Sequence, residues 1–96
     1  GEKPAPAAAQ ARRVSPLDGR VSWKDIPGAQ GCNVRYGIAP DKLYHSWLVY
    51  GANEVTLSTL TARQAYYVRV DSFNENGVTP GQTILLCGDA VGSNQP

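Results

Sequence analysis

An unbroken alternation over residues 66–73 constrains the fold more than any other part of the sequence. The run YYVRVDSF places Tyr, Val, Val and Ser on one face of an extended strand and Tyr, Arg, Asp and Phe on the other, because side chains along a strand alternate. Leu60 precedes Tyr66 by six residues across a short polar turn, and Asn76 and Gly77 form a turn signal after the strand. This arrangement predicts a central strand of an antiparallel sandwich that the chain enters through a corner.

Length and composition restrict the class of protein. The chain has 96 residues, of which 42% are hydrophobic and 18% charged, which is typical of one globular domain. A chain of this size buries roughly two-thirds of its unfolded surface, enough for a single core. The net charge is +1 and the nine basic residues are spread along the chain, so nucleic-acid binding is not predicted. No apolar run approaches the ~20 residues of a membrane span, so membrane insertion is not predicted either.

The rest of the chain contains six further strand patterns at roughly ten-residue spacing. They cover residues 9–14, 20–24, 32–37, 43–50, 54–58 and 82–87. No helical period of useful length interrupts them, so we predict an all-β fold, a seven-stranded antiparallel sandwich. The domain organisation is then residues 1–13 as linker and possible first strand, residues 14–87 as the sandwich, and residues 88–96 as a frayed tail.

Four side chains are predicted to have structural roles in this sandwich. Trp23 is a large core anchor on the second strand, and Tyr36 lies on the inward-facing side of the third. Leu60 packs at the corner, where the hydroxyl of Tyr66 bonds to backbone a few residues upstream. The strand at 43–50 is ambiguous, because two alternative sets of side chains fit the inward-facing positions. One set is Leu43, Trp47 and Val49, and the other is Tyr44, Leu48 and Tyr50.

Cys32 and Cys87 are the two cysteines of the chain. We expect them on strands that are not neighbours, farther apart than the ~7 Å between Cα atoms that a disulfide allows, and therefore as two free thiols. Free cysteines of this kind behave as small buried hydrophobes. Two cysteines without supporting histidines do not form a zinc site.

Four segments together resemble a fibronectin type III domain: residues 21–23 (VSW), residues 32–36 (CNVRY), Leu60 with residues 66–70 (YYVRV), and residues 74–77 (NENG). In that family a tryptophan lies on the second strand, and a leucine precedes by six residues the tyrosine at the corner before the sixth strand. The resemblance covers residues 14–87 and implies an immunoglobulin-like sandwich. It also implies that one sheet holds strands one, two and five, and that the other holds strands seven, six, three and four. The chain departs from the family at Cys32, where a tyrosine is common, and after Leu60, where the usual proline is missing.

A narrower resemblance lies in residues 35–47, RYGIAPDKLYHSW. This run is similar to the fibronectin-like domain at the C-terminus of secreted bacterial glycoside hydrolases, particularly family 43 enzymes of gut Bacteroidetes. The resemblance implies a parent protein whose catalytic domain precedes Gly1. It also implies a secreted, periplasmic or cell-surface location.

Catalysis by this chain is not predicted. His45 is the only histidine and lies in an aromatic strand, and no serine or cysteine has an obvious base partner. The acidic residues are scattered through turns and exposed strand positions, whereas a glycosidase needs two carboxylates facing each other across a cleft. Residues 74–77 (NENG) lack the spacing of a calcium loop, so neither a metal nor a cofactor is predicted.

Sugar binding is the sharpest functional hypothesis from the residues themselves. Flat aromatic faces on which pyranose rings stack are offered by Tyr44, Trp47, Tyr50 and Tyr67. Hydrogen-bonding groups near them are Asn33, Arg35 and Arg69. The alternative is that Trp47 and one tyrosine cover the edge of the core, while Arg35, Arg69 and Asp71 form a solvated face with weak ion pairs.

The favoured interpretation is a non-catalytic accessory module of a secreted carbohydrate-active enzyme, with a glycoside hydrolase as parent. Such a module acts as a spacer or a docking domain, and its partner is a neighbouring domain of the same polypeptide. The alternatives are a carbohydrate-binding module with polysaccharide as partner, or a cell-surface protein–protein adhesion module. The sequence contains no Arg-Gly-Asp triplet for integrin-type adhesion.

Overall fold

The computed structural model describes residues 2–58, 60–61 and 63–86, and every regular element in these residues is a β-strand. The strands are β1 (Ala9–Ser15), β2 (Asp18–Trp23), β3 (Gly31–Gly37), β4 (His45–Val49), β5 (Glu54–Leu57), β6 (Tyr67–Asn74), β7 (Gly77–Thr79) and β8 (Ile84–Leu85).

The strands form two antiparallel sheets, one in the order β1-β2-β5 and the other in the order β4-β3-β6, with β7 and β8 both paired to the far side of β6. This topology confirms the all-β sandwich and the predicted order of strands in each sheet. The prediction missed the strand β7, and β8 begins at Ile84 rather than at Gln82. A turn at Glu75 and Asn76 sends the chain straight back along β6 from Gly77, and the pairing breaks at Pro80, which has no N–H to donate.

The core lies between the two sheets. Val21 and Leu57 of the first sheet meet Val34, Val68 and Val70 of the second, and all five are almost completely removed from solvent. Of the four side chains with predicted structural roles, Trp23, Leu60 and Tyr66 are buried in this cluster, and Tyr36 packs against it half-buried. Period-two burial along β2, β3 and β6 therefore produces one continuous interior.

Arg13 fixes the corner that leads into β6. Its guanidinium donates to the backbone oxygens of Pro16, Thr61 and Gln64 at 2.6, 2.9 and 2.5 Å and lies 5.4 Å from the centroid of the Tyr66 ring. Arg13 is on the same face of β1 as Ala11, so the alternation that buries Ala11 also buries this charge, while Val14, the next residue of β1, is exposed. The guanidinium ties β1 to a loop nearly fifty residues away.

Residues before β1 pack along one end of the sandwich. The hydroxyls of Ser72 and Thr79 donate to the backbone oxygens of Ala5 and Pro4, both at 2.6 Å, and the side-chain amide of Asn74 donates to the oxygen of Glu2. From the sequence, residues 1–13 are predicted to be a linker and possible first strand. In the structure residues 2–5 are held against β6 and β7 by these bonds.

Candidate interaction surface

Exposed aromatic side chains concentrate at β4 and its two flanks. Trp47 on β4 is 53% exposed, and Tyr44 and Tyr50 on either side of the strand are 79% and 64% exposed. Leu48 is also more than half exposed. Since β4 is an edge strand of the second sheet, these side chains line one border of the molecule.

Trp47 is exposed although it points toward the core side of its sheet. It lies directly opposite Val34, which is fully buried, and its neighbour on the same face of β4, Val49, is buried as well. The position of β4 at the sheet edge explains the difference, because the three-stranded sheet does not cover this part of the strand. The ambiguous alternation at 43–50 is thus resolved in favour of Val49 as the inward anchor.

The structure does not bring the predicted sugar-stacking residues onto one platform. Tyr50 lies on the outer face, where its ring meets that of Phe73 edge-on at 5.7 Å above Gly31. Tyr67 is also on the outer face but six residues along β6 from Phe73, about 20 Å away. Trp47 points to the opposite side of the sheet from both.

The polar groups predicted to accompany them have other partners. Arg35, half-buried on the outer face, donates to the backbone oxygen of Leu43 at 3.2 Å. The side-chain oxygen of Asn33 is buried, with no hydrogen-bond donor to it among the described residues. Asn33 is directly opposite Asp71 in the pairing of β3 with β6.

The prediction that Arg35, Arg69 and Asp71 form a solvated face with cross-strand pairs is wrong for Asp71. Asp71 is only 5% exposed, and both of its carboxylate oxygens accept from Arg69, two residues away on the same strand, at 2.8 and 3.0 Å. The N–H of Gly81 also donates to Asp71. The break between β7 and β8 accounts for the burial, since it folds the backbone around Gly81 over this side chain.

The only histidine of the chain stacks on the core edge. The rings of His45 and Tyr36, directly opposite each other on β4 and β3, are 4.9 Å apart and nearly parallel. Cys32 lies four residues along β3 from Tyr36, about 13 Å away, so the histidine and this thiol do not form a nucleophile and base pair.

Cys32 is a buried free thiol at the bottom of a cleft between the ends of the two sheets. The cleft has a volume of about 560 Å³, and Asp25 and Asn53 hydrogen-bond to each other at its rim at 2.7 Å. Burial raises the pKa of the Cys32 thiol above its ordinary value, and the carboxylate of Asp71 raises it further. A thiol held protonated in this way is a poor nucleophile. The expected position of Cys87 lies outside the described residues.

Within the ranges that the structure describes, no three His, Cys, Asp or Glu side chains gather into a metal-binding group. The same residues include no helix with the length and apolar character needed to cross a membrane.

The similarity to solved structures is clear. A fibronectin type III domain of human collagen XX superposes with a TM-score of 0.74 at 26% identity, over 85% of this chain and 88% of that one. The FN1–FN3 domains of chicken CNTN1 give 0.70 at 26% identity, over 86% of this chain and 30% of that multidomain chain. The FN5 domain of Drosophila Lar gives 0.70 at 18% identity, over 85% and 92%. No protein-family model matches the sequence, and no curated protein matches it significantly.

Fold and surface together define an immunoglobulin-like β-sandwich, a class that commonly serves as a non-catalytic module within larger proteins. More specifically, the chain has the fibronectin type III fold.

Proposed function

We propose that this domain is a non-catalytic accessory module, a spacer or docking domain, of a secreted carbohydrate-active enzyme. The observation that carries the proposal is the position of the first and last described backbone. Glu2 lies beside the β6–β7 turn, and Leu86 packs beside the β1–β2 turn at the opposite end of the sandwich.

Contacts at both ends hold the backbone in place. At one end Asn74 and Asn76 both donate to the oxygen of Glu2 at 2.9 Å, and Gly28 of the β2–β3 loop joins the same group. At the other end the N–H of Leu86 donates to the oxygen of Tyr66 at 2.8 Å, and the Leu86 side chain lies against Gly19. Because the backbone is held in place at both ends of the sandwich, the domain keeps adjoining segments of the polypeptide at a constant separation.

The parent protein and its location belong to the same proposal. The similarity of residues 35–47 to the C-terminal domain of family 43 glycoside hydrolases supports a glycoside hydrolase as parent and a secreted, periplasmic or cell-surface location. The partner is then the neighbouring domain of the same polypeptide. Carbohydrate chemistry is assigned to that domain, because the described part of this chain offers neither paired carboxylates across a cleft nor an activated nucleophile.

The test compares the intact parent protein with a version that lacks this domain. We expect an unchanged kcat/KM on small chromogenic glycosides and a lower Tm of the catalytic domain, because a docked module stabilises its neighbour without touching the reaction. Loss of turnover on small substrates in the shortened protein would contradict the proposal. Hydrolysis of a polysaccharide by the 96-residue chain alone would contradict it as well.

Carbohydrate binding is a second candidate, favoured by the exposure of Tyr44, Trp47 and Tyr50 along one border. Calorimetric titration of the chain with soluble plant and host polysaccharides distinguishes the two, since the spacer proposal expects no heat of binding. If binding is seen, Trp47→Ala should abolish it, while Tyr67→Ala at the far end of the outer face serves as the matched control. For a cell-surface adhesion module, the sequence preceding Gly1 in the parent gene would show no glycoside hydrolase domain.

A further inference from the structure

Three of the four sheet edges carry features that discourage pairing with another strand. On β1 the exposed side chains include the charged Arg12, and Pro16 follows the strand. On β5, four residues long, the exposed Glu54 carries a charge. At the far side of β6 the edge is split into two short pieces by Pro80. Charges, prolines and interruptions are the usual means by which proteins protect sheet edges from association.

The β4 edge has none of these features. No Asp, Glu, Lys, Arg or Pro occurs in residues 43–53, LYHSWLVYGAN, and β4 is regular, pairing residue by residue with β3. Four consecutive side chains of β4, residues 45–48, are exposed. Its outer border therefore presents free backbone donors and acceptors flanked by apolar and aromatic side chains, which is a template for another strand.

We propose that a second copy of this chain pairs with this border, β4 against β4, in an antiparallel two-fold dimer centred on Trp47. This register places Trp47 opposite the partner's Trp47 on the core side of the joined sheet. It also places Tyr44 opposite the partner's Tyr50 and Ser46 opposite the partner's Leu48. The neutral stretch lets two identical strands meet without opposing like charges, the feature that would otherwise prevent self-pairing.

The exposed area of the side chains along this border limits the size of the dimer interface. A fully exposed aromatic side chain offers about 150–250 Å², so the exposed parts of Tyr44, Trp47, Leu48 and Tyr50 supply about 500 Å² from each copy. The total of about 1,000 Å² lies near the lower limit of specific interfaces. We therefore expect a reversible dimer whose formation depends on protein concentration in the micromolar range.

Sedimentation equilibrium of the 96-residue chain over roughly 1–500 μM tests the proposal. The average mass should rise with concentration from 10.3 kDa toward twice that value. Leu48→Lys should weaken the dimer about tenfold or more, because a two-fold interface contains the new charge twice. Thr56→Lys, which adds the same charge to the exposed face of the edge strand β5, is the matched control and should dimerise like the unmodified chain.

The register is tested by oxidative cross-linking. An equimolar mixture of Ser46→Cys and Leu48→Cys should form a mixed disulfide faster than either variant alone, because the proposed axis puts these two positions opposite each other. Peptide mapping identifies the linked cysteines.

A mass of 10.3 kDa at every concentration would overturn the proposal. So would equal dimerisation of Leu48→Lys and the unmodified chain, or preferential self-linking of either cysteine variant. If the chain is monomeric alone but β4 amides become protected from hydrogen exchange in the intact parent protein, the neighbouring domain covers the edge and the second copy is excluded. The mass and cross-linking results do not bear on the spacer or docking proposal, which is tested by the activity and Tm of the parent, whereas coverage of β4 by the neighbouring domain would agree with docking.

Discussion

The ring of Tyr66 lies 5.4 Å from the guanidinium of Arg13, and its hydroxyl accepts a hydrogen bond of 2.8 Å from the backbone N–H of Thr61. Arg13 also donates to the backbone oxygen of Thr61. The backbone N–H of Thr61 is thus hydrogen-bonded to the Tyr66 side chain, and its backbone oxygen to the Arg13 side chain. The corner between the two sheets is held by polar contacts around one buried aromatic ring.

Removing the Tyr66 hydroxyl should weaken this corner. We expect Tyr66→Phe to lower the free energy of unfolding by about 1 kcal/mol or more, because the N–H of Thr61 loses its acceptor in a partly buried place. Urea unfolding measures the change. Tyr67→Phe is the matched control, because the Tyr67 hydroxyl makes no hydrogen bond among the described residues, and its stability should be unchanged. Equal stability of the two variants would show that the Tyr66 hydroxyl does not stabilise the corner.

Truncating Arg13 should cost more. Arg13→Ala removes the side-chain donor from three carbonyl oxygens, of which that of Thr61 keeps a hydrogen bond from the N–H of Gln64, and we expect a loss of about 2–3 kcal/mol in unfolding free energy. Arg12→Ala, one residue away on the exposed face of β1, should change stability by less than about 0.5 kcal/mol. Chemical denaturation measures both losses. A loss of similar size in the two variants would mean that removing a positive charge, rather than losing the hydrogen bonds of Arg13, lowers the stability.

Two ion pairs of different burial provide the next comparison. Asp71→Asn should lower stability by about 1–2 kcal/mol, because the carboxylate is buried and accepts from both Arg69 and Gly81. Glu54→Gln breaks the exposed contact with Arg20, 3.7 Å long, and should cost less than about 0.5 kcal/mol. Thermal unfolding at low and high salt separates them further, since only the exposed pair is strongly screened. A larger cost for Glu54→Gln would contradict the burial argument.

The raised pKa of Cys32 predicts a dependence of stability on pH. The unfolded chain releases the thiol proton at its ordinary value, whereas the folded chain holds it to a higher pH. The contribution of this thiol is therefore complete below the ordinary pKa and is lost as pH rises through the pKa of the folded state.

The measurement compares the unmodified chain with Cys32→Ala by urea unfolding at pH 7 and pH 10. We expect the stability difference between the two to shrink at the higher pH, while other titrating groups are common to both proteins. A difference that grows with pH would show a pKa lowered by folding. In the folded protein at pH 8, alkylation of Cys32 should be slow compared with the denatured protein.

The local alternation of side chains is enough to predict many of the strands and their inward faces. The positions of Trp23, Tyr36 and residues 66–73 follow a period of two, and a strand with such a period has one defined inward face. Turn signals at Asn76 and Gly77 and at Pro80 lie at strand boundaries, although the strand β7 that begins at Gly77 was not predicted and β8 begins two residues later than predicted. The all-β antiparallel sandwich follows from these local features, whereas the order of strands in each sheet was implied by the resemblance to fibronectin type III domains.

Only the tertiary structure decided which outward or edge positions are covered. Trp47 and Asp71 show this from opposite directions, because an aromatic residue facing the core side is half exposed and a carboxylate on the outer face is buried. In the first case the opposing sheet is too narrow, and in the second the chain beyond β7 folds back at Gly81. A side chain's alternation fixes its direction, whereas its exposure depends on what distant parts of the chain place in front of it.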